Sequence, residues 1–315
     1  MTRTIVYQIE EDVWTGSRRA TAGEFLRRRS FSRHLLTYLR HHENTLLLNG
    51  EAVFTNHPVQ RGDVLTVIFT DELSSERIIP TPMDLDIIFE DDDILVINKP
   101  PYLPVQPSLG HSEYTLGNGV VARFEAQGIP FVYRCVNRLD RNTSGLVLVA
   151  KNMAASAILY DEMKARRIRR TYFCIVHGRL EEPGTIDLPI ARKTPGMMER
   201  CVDFARGQRA VTHYVPLSWQ EKNDTTALSI RLETGRTHQI RVHMSYIGHP
   251  VAGDSLYGAM PEGDAAMNSE HCGMKKDLLI DRQALHSQTL DLMHPISRQM
   301  LHFEAPVPED IRALM

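Results

Sequence analysis

The sequence predicts an α+β fold, with a large sheet-based domain preceded by a small α/β unit. Short apolar runs at residues 94–98, 146–150, 172–177 and 227–232 read as strands. They recur without the regular strand–helix–strand spacing that a doubly wound parallel sheet needs. A polar, proline-bearing stretch over residues 73–83 reads as a linker between residues 1–72 and residues 84–315. A chain of 315 residues is long enough for one large core and one small one.

In the first unit, residues 24–41 have helix-compatible spacing and carry Arg27, Arg28, Arg29, Arg33 and Arg40. Residues 45–49 form a short apolar strand that ends at Asn49-Gly50, a strong turn signal. A second strand, residues 64–69, is entered through Arg61-Gly62-Asp63. In the larger part, residues 94–98 are a buried strand stopped by Pro100-Pro101. The 146–150 run follows, with a helix near residues 154–165, then the strands at 172–177 and 227–232. Residues 260–276 are long, polar and patternless, and read as a surface excursion.

At 42% hydrophobic and 24% charged, with no low-complexity tract, the composition is that of a globular protein. No apolar run approaches the roughly 18 residues of a transmembrane helix, so no membrane partner is expected. The opening MTRTIVYQIEEDVW lacks the regions of a signal peptide, and a cytoplasmic protein is the expectation. Cys135, Cys174, Cys201 and Cys272 are scattered, which suits reduced thiols better than a disulfide framework. His238 and His243 lack an evident third ligand, and no metal site is expected. The net charge of −3 does not announce a nucleic-acid partner, but its distribution is uneven. Arginines cluster at residues 27–40 and 166–170, while Glu90, Asp91, Asp92 and Asp93 carry compensating charge. Those basic clusters suit phosphate contacts and solvated helix faces equally well.

Three segments set polar residues beside tight turns. In the first, Asp140 stands in Asn137-Arg138-Leu139-Asp140-Arg141, just before the 146–150 strand. A carboxylate flanked by arginines is held ionised and oriented, although a loop-stabilising ion pair reads the same way. In the second, Thr234-Gly235-Arg236-Thr237-His238-Gln239-Ile240-Arg241 turns at Gly235 and then resumes alternation, with Ile240 and Val242 pointing one way. Arg236, His238 or Arg241 could then reach a shared cleft. In the third, Tyr172 follows Arg170-Thr171 at the start of a strand, as a core aromatic or as a stacking platform for a base.

The run NRLDRNTSGLVLVAKN resembles the signature of the RluA-type pseudouridine synthases, usually written H-R-L-D-x-x-T-S-G. INKPPYLPVQPSLGH, RTYFCIVHG, LETGRTHQIRVHMSYIGHPVAGDSLYG and ALHSQTLDLMHP resemble further segments of that family, in the same order. Asn137 stands where the family more often has His, three residues before the carboxylate and not needed for its attack. The first unit resembles a small RNA-binding module first recognised in a ribosomal small-subunit protein. Its marks are Phe25-Leu26, Ser32-Arg33, Leu48-Asn49-Gly50, Pro58-Val59 and Gly62-Asp63.

The resemblance implies a mixed, mainly antiparallel sheet with a central cleft in residues 84–315, and an RNA-binding module in residues 1–72. It implies an enzyme that isomerises uridine in structured RNA, breaking the N1–C1′ bond and rejoining the base through C5. The carboxylate attacks C1′, assists loss of the base by taking the 2′ proton, or adds to the uracil ring. Asp140 is the implied catalytic carboxylate, Arg241 its partner, Arg138 a support for the flipped nucleotide, Tyr172 the base-stacking ring and Leu285 an apolar wall. Arg27, Arg28, Arg29, Arg33, Asn49 and Gly50 are the implied RNA contacts of the first unit. No group enters or leaves, so neither cofactor nor metal is expected. The partner is RNA, large-subunit ribosomal or else transfer RNA, and the protein is expected to be a monomer.

Two rival readings carry less of the sequence. A glycoside or nucleoside hydrolase normally needs a second carboxylate, and Glu233, the nearest candidate, belongs to a strand. A non-catalytic RNA-binding protein would not need Asp140, Tyr172 and Arg241 together.

Overall fold

The computed structural model describes residues 2–70, 75, 78–108, 112–194, 196–258 and 279–315. The surface excursion expected at residues 260–276 lies outside them, as do most of residues 71–77. In the first unit a four-stranded sheet runs in the order Thr2–Gln8, Val64–Thr70, Leu46–Leu48, Glu51–Ala52. All its pairs are antiparallel. Leu48 pairs with Glu51 across Asn49 (φ 53°) and Gly50 (φ 89°), a two-residue hairpin that needs left-handed backbone at both positions.

The single helix expected over residues 24–41 is two helices, Ala22–Arg28 and Arg33–His41. Ser30 takes a left-handed φ of 68°, and Ser32 caps the second helix by accepting from Leu35 N. A serine that bonds the backbone better as a cap than inside a helix breaks the run. Phe25, Leu26, Phe31, Leu35, Leu36 and Leu39 then bury against the sheet residues Leu65, Val67 and Phe69.

This small core continues across the boundary. Ala154 and Ile158, on the helix Met153–Lys164, are buried in the same cluster. Arg3 adds a bidentate ion pair to the buried Asp93, with Nε and Nη2 each 2.8 Å from a carboxylate oxygen.

The larger part is built on a ten-stranded mixed sheet. Its main path runs Gly184–Asp187, Val211–Gln220, Thr225–Leu232, Arg169–His177, Leu285–Met293, Ser144–Ala150, Ile94–Lys99, Ile87–Glu90. Met300–Glu304 pairs with Leu285–Met293, and Arg134–Cys135 with Ser144–Ala150. Among the described strands every pairing is antiparallel except one. Ser144–Ala150 and Leu285–Met293 run parallel, matching Ser144 with His286 and Gly145 with Ser287.

Ser144–Ala150 is buried along its whole length. Leu146, Leu148 and Ala150 face one core, and Val147 and Val149 face another, which makes the run apolar at every position. Gly145 holds φ 109°, and a Cβ there would lie 2.3 Å from Ser287 O. Only glycine lets the two strands meet.

One segment departs from its sequence reading. Residues 239–246 are an α-helix, Gln239–Tyr246, not an alternating strand. Ile240 and Met244 pack into the core beneath Tyr172, while Val242 packs into a separate cluster with Ile190 and Ala210. A helix wedged between two cores presents apolar residues at a spacing of two, which imitates a strand.

Candidate active site

Asp140 sits on the loop between Arg134–Cys135 and Ser144–Ala150. Leu139 anchors the loop by packing against the cores on both sides of the parallel junction. The buried Asn137 locks it to the strand: its Nδ2 donates to Leu146 O (3.2 Å), and its Oδ1 accepts from Leu148 N (2.8 Å). An amide fills both roles, so asparagine at this position clamps the loop onto the strand that follows.

The partner of the Asp140 carboxylate is not a flanking arginine. Arg138 is exposed, and Arg141 donates from Nε to Tyr102 O at 3.2 Å. Arg241, 101 residues away, donates from Nη1 to Asp140 Oδ2 at 3.0 Å. Its other edge, Nε and Nη2, grips Asp254 at 2.7 and 2.8 Å. The bidentate pair is therefore made with Asp254, and Asp140 receives one N–H. Burial opposes the charge on Arg241, but Asp254, with help from Asp140, holds it above its ordinary value. The guanidinium is thus a fixed cation.

Of the three cationic side chains in that segment, Arg241 and His238 approach Asp140, and Arg236 does not. Arg236 donates to Arg209 O and to Gln208 Oε1 instead. His238 begins the helix with φ 58°, and Gln239 closes the turn by accepting from Thr234 Oγ1 and Arg236 N. His238 Nδ1 lies 2.8 Å from Tyr257 Oη, which accepts from Arg200 N at 2.8 Å. The phenol can give its own proton to Nδ1, an arrangement that puts the imidazole proton on Nε2. Nε2 faces Asp140 Oδ2 at 4.0 Å. Burial, partly offset by Asp140, lowers the pKa of His238 and keeps the ring neutral near pH 7. Burial likewise pushes the Tyr257 phenol up to about 12, which keeps its proton in place.

Tyr172 follows a register shift between Thr171 and Tyr172, a bulge that re-aims side chains. It pairs with Ser287, which pairs in turn with Gly145, so one row crosses the sheet from Tyr172 to the end of the Asp140 loop. At roughly 4.8 Å per strand that row spans about 10 Å. Tyr172 and Leu285 are buried in the same cluster as Ile240, and Arg170 Nη1 reaches Tyr172 Oη at 3.5 Å.

Lys99 is fully buried beneath the loop and donates to Pro100 O at 2.8 Å and Arg141 O at 3.1 Å. Burial pushes its pKa down to about 7, against the pull of Asp140. Asp254, Tyr257 and Lys99 were not singled out from the sequence. All three lie inside the segments that carried the family resemblance, and no local spacing marks them.

The arginines of the first unit do not act alike. Arg27 and Arg33 are exposed. Arg28 donates to Trp14 O at 2.6 Å, and Arg29 lies over the rings of Phe25 (3.8 Å) and Tyr7 (5.1 Å). Asn49 is tied into its own turn by Asp63 and Val64 N, while Gly50 is exposed at the tip. Among the described residues, Asp91, Asp93 and His294 form the one group with metal-ligand proximity. Its oxygens already serve Arg3, Asn152 and His294.

The model of a family described as RNA pseudouridylate synthase matches residues 93–246, which include Asp140 and Arg241. An uncharacterized RNA pseudouridine synthase of Bacillus subtilis, YjbO, is 40% identical over 297 residues, 94% of this chain and 98% of its own. The chain belongs to the RNA pseudouridine synthase family. A ribosomal large subunit pseudouridine synthase D from Xanthomonas campestris is 38% identical over 276 residues, 85% of this chain and 80% of its own. Among solved structures, human RNA pseudouridylate synthase domain containing 1 superposes with a TM-score of 0.53 at 28% identity. That match covers 71% of this chain and 83% of the human one.

This pseudouridine synthase is accordingly an isomerase that acts on RNA, with the α+β architecture and mixed, mainly antiparallel sheet expected of it. Among the described residues no helix is long and apolar enough to cross a membrane.

Proposed function

We propose that this synthase isomerises uridines of large-subunit ribosomal RNA, with Asp140 as the catalytic carboxylate. The observation that carries the reading is the Arg241 fork. It grips one carboxylate, Asp254, which is buried, and offers an N–H of its third nitrogen to Asp140, which is partly open to solvent. A carboxylate so held keeps lone pairs for a reacting atom and cannot drift. Such a group can attack C1′, take the 2′ proton or add to the ring.

Isomerisation conserves atoms. The N1–C1′ bond breaks, a C5–C1′ bond forms, and the C5 proton leaves while N1 gains one. Tyr172 and Leu285 supply the apolar floor on which a detached uracil can turn, and Arg138 stands exposed beside the loop to meet the backbone. Ribosomal RNA is favoured because several relatives are named as ribosomal large-subunit enzymes, and because a unit that resembles a small RNA-binding module precedes the catalytic part.

The test uses transcripts carrying tritium at uridine C5, whose release to water reports C5–C1′ bond formation. Large-subunit ribosomal transcripts should release tritium with the wild-type chain and transfer RNA transcripts should not. Asp140→Asn should lower turnover by several orders of magnitude and leave RNA binding intact. Near-normal turnover by Asp140→Asn would remove Asp140 from the chemistry. Release from transfer RNA alone would reassign the substrate.

A further inference from the structure

Two aromatic residues between the strand Ile94–Lys99 and the helix Leu116–Glu125 stand on left-handed backbone with their side chains in solvent. Tyr102 has φ 66° and is 50% exposed; Tyr114 has φ 55° and is 68% exposed. For a bulky side chain this backbone is strained, and glycine would adopt it freely. Strain of this kind persists where the surroundings force it, and it gathers at ligand sites. The ring of Tyr102 is half exposed, so its burial in the fold does little to offset the strain. A partner for the ring outside the chain would account for a tyrosine here.

Its position narrows the choice. Lys99, Pro100, Tyr102 and Arg141 form a reciprocal clamp between two loops. Lys99 Nζ donates to Pro100 O and to Arg141 O, and Arg141 Nε returns a bond to Tyr102 O. Arg141 directly follows Asp140, so Tyr102 is fixed to the catalytic loop by its own backbone. Pro101, just before it, limits the freedom of the segment further. The other end of the same loop is drawn in by Leu116 N to Pro104 O (2.8 Å) and Gly117 N to Val105 O (3.1 Å). Each exposed tyrosine lies two residues before this junction.

We infer that Tyr102 is a stacking platform for a nucleobase of the RNA that flanks the target uridine. A base inside a helix is out of reach of a carboxylate, so the target must leave its stack. Its departure uncovers the faces of the neighbouring bases. A rigid, half-exposed ring beside the catalytic loop offers one of them a replacement surface. Stacking is tolerant of base identity, so Tyr102 strengthens binding without choosing the site by hydrogen bonds. The inference rests on the reading of Asp140 as the catalytic group, and its test separates the two.

The variants are Tyr102→Gly and Tyr102→Phe in the full chain, each also made on an Asp140→Asn background for binding. The probe is an unmodified in vitro transcript of large-subunit ribosomal RNA. Glycine suits the backbone, so the thermal midpoint of Tyr102→Gly should be no lower than that of the wild type. Its affinity for the transcript should fall roughly 5- to 150-fold, the range of one lost base–aromatic stack. Tyr102→Phe keeps the ring face and should bind within about twofold of wild type. Wild-type affinity in the glycine variant would overturn the inference, and so would a loss of affinity that tracks a lowered midpoint. Binding is read on enzymes that do not turn over, so a failure of catalysis alone counts against Asp140 or the ribosomal substrate, not against Tyr102.

Discussion

Arg241 gives its two-pronged edge to Asp254 and a single N–H to Asp140. Asp254 is therefore what aims the arginine, and Arg241 is what aims the carboxylate. Lysine offers one compact ammonium and cannot satisfy both carboxylates at fixed angles. Arg241→Lys should lower kcat by about 100-fold or more, given the roughly 3 kcal/mol attached to charged hydrogen bonds. Asp254→Asn keeps an oxygen for Leu256 N and Tyr257 N but sets an amide against the guanidinium, and should also lower kcat. Single-turnover rates on saturating RNA would check both; wild-type rates in Asp254→Asn would show that the arginine orients itself.

With the Tyr257 phenol donating to Nδ1, the proton of His238 is expected on Nε2. Tyr257→Phe removes that control while keeping the ring over which Arg241 lies, 5.0 Å from its centroid. Without the phenol the Nδ1–H tautomer competes, and Nε2 then turns a lone pair toward Asp140. The expected loss is up to about tenfold in kcat, with KM little changed, as befits one hydrogen bond. The ring shifts of His238 in nitrogen-15 spectra should report the change of tautomer, and an unaltered spectrum would refute the assignment.

His286 makes acid stability testable. It is fully buried, accepts from Ser144 Oγ at Nδ1 and donates from Nε2 to Ala305 O. Burial lowers its pKa to about 4, whereas an unfolded chain titrates near its ordinary value of 6.5. Between those values the unfolded state binds the extra proton. Stability therefore rises with pH through that window and is lost as pH falls from 6.5 toward 4. Urea titrations across the window should show a slope of up to about 1.4 kcal/mol per pH unit from this group. His286→Gln should flatten it, and an unchanged slope would assign the acid sensitivity to other residues.

The first unit is held to the rest by Ala154, Ile158 and the Arg3–Asp93 pair, so its removal leaves an apolar patch and a buried carboxylate without its arginine. A chain of residues 84–315 should fold with a lower thermal midpoint than the full protein, and should regain stability on Asp93→Asn with Ile158→Lys. For RNA, Arg27→Ala with Arg33→Ala should flatten the dependence of log affinity on log salt, by a slope of about 1 per lost phosphate contact. Arg29→Ala should instead lower stability, because its guanidinium covers Phe25 and Tyr7. Equal salt slopes for wild type and the double variant would leave the exposed arginines without a phosphate role.

Much of the fold was legible where a side chain serves a single core. Residues 146–150 read as a buried strand because both of its faces are covered. Residues 239–246 misled because Ile240 and Val242 serve different cores. The helix Leu116–Glu125 escaped notice because Gly117, Asn118 and Gly119 occupy its first turn. Gly117 lies against the ring of Tyr133, Gly119 against Met83, and Asn118 donates to Ile79 O and Ser112 O. These are tertiary reasons for poor helix formers, invisible in a local pattern. Asp140, Tyr172 and Arg241 were legible as members of a family signature. Asp254 and Tyr257 were not, because their roles depend on a turn that folds back under a helix.

The parallel bridge at Gly145 and Ser287 also sets a clock. Ser144 and His286 are 142 residues apart, so a ribosome elongating this chain releases the Asp140 loop well before the strand it leans on. At about 5–20 residues per second the delay is roughly 7–28 s. Tyr172 waits for the same strand, since Ser287 is its neighbour on that side. Until Leu285–Met293 emerges, the Asp140 loop lacks its parallel partner and Tyr172 its neighbour on that side. A nascent chain that has not yet released this strand therefore lacks the one element that joins the Asp140 loop and Tyr172 across the sheet.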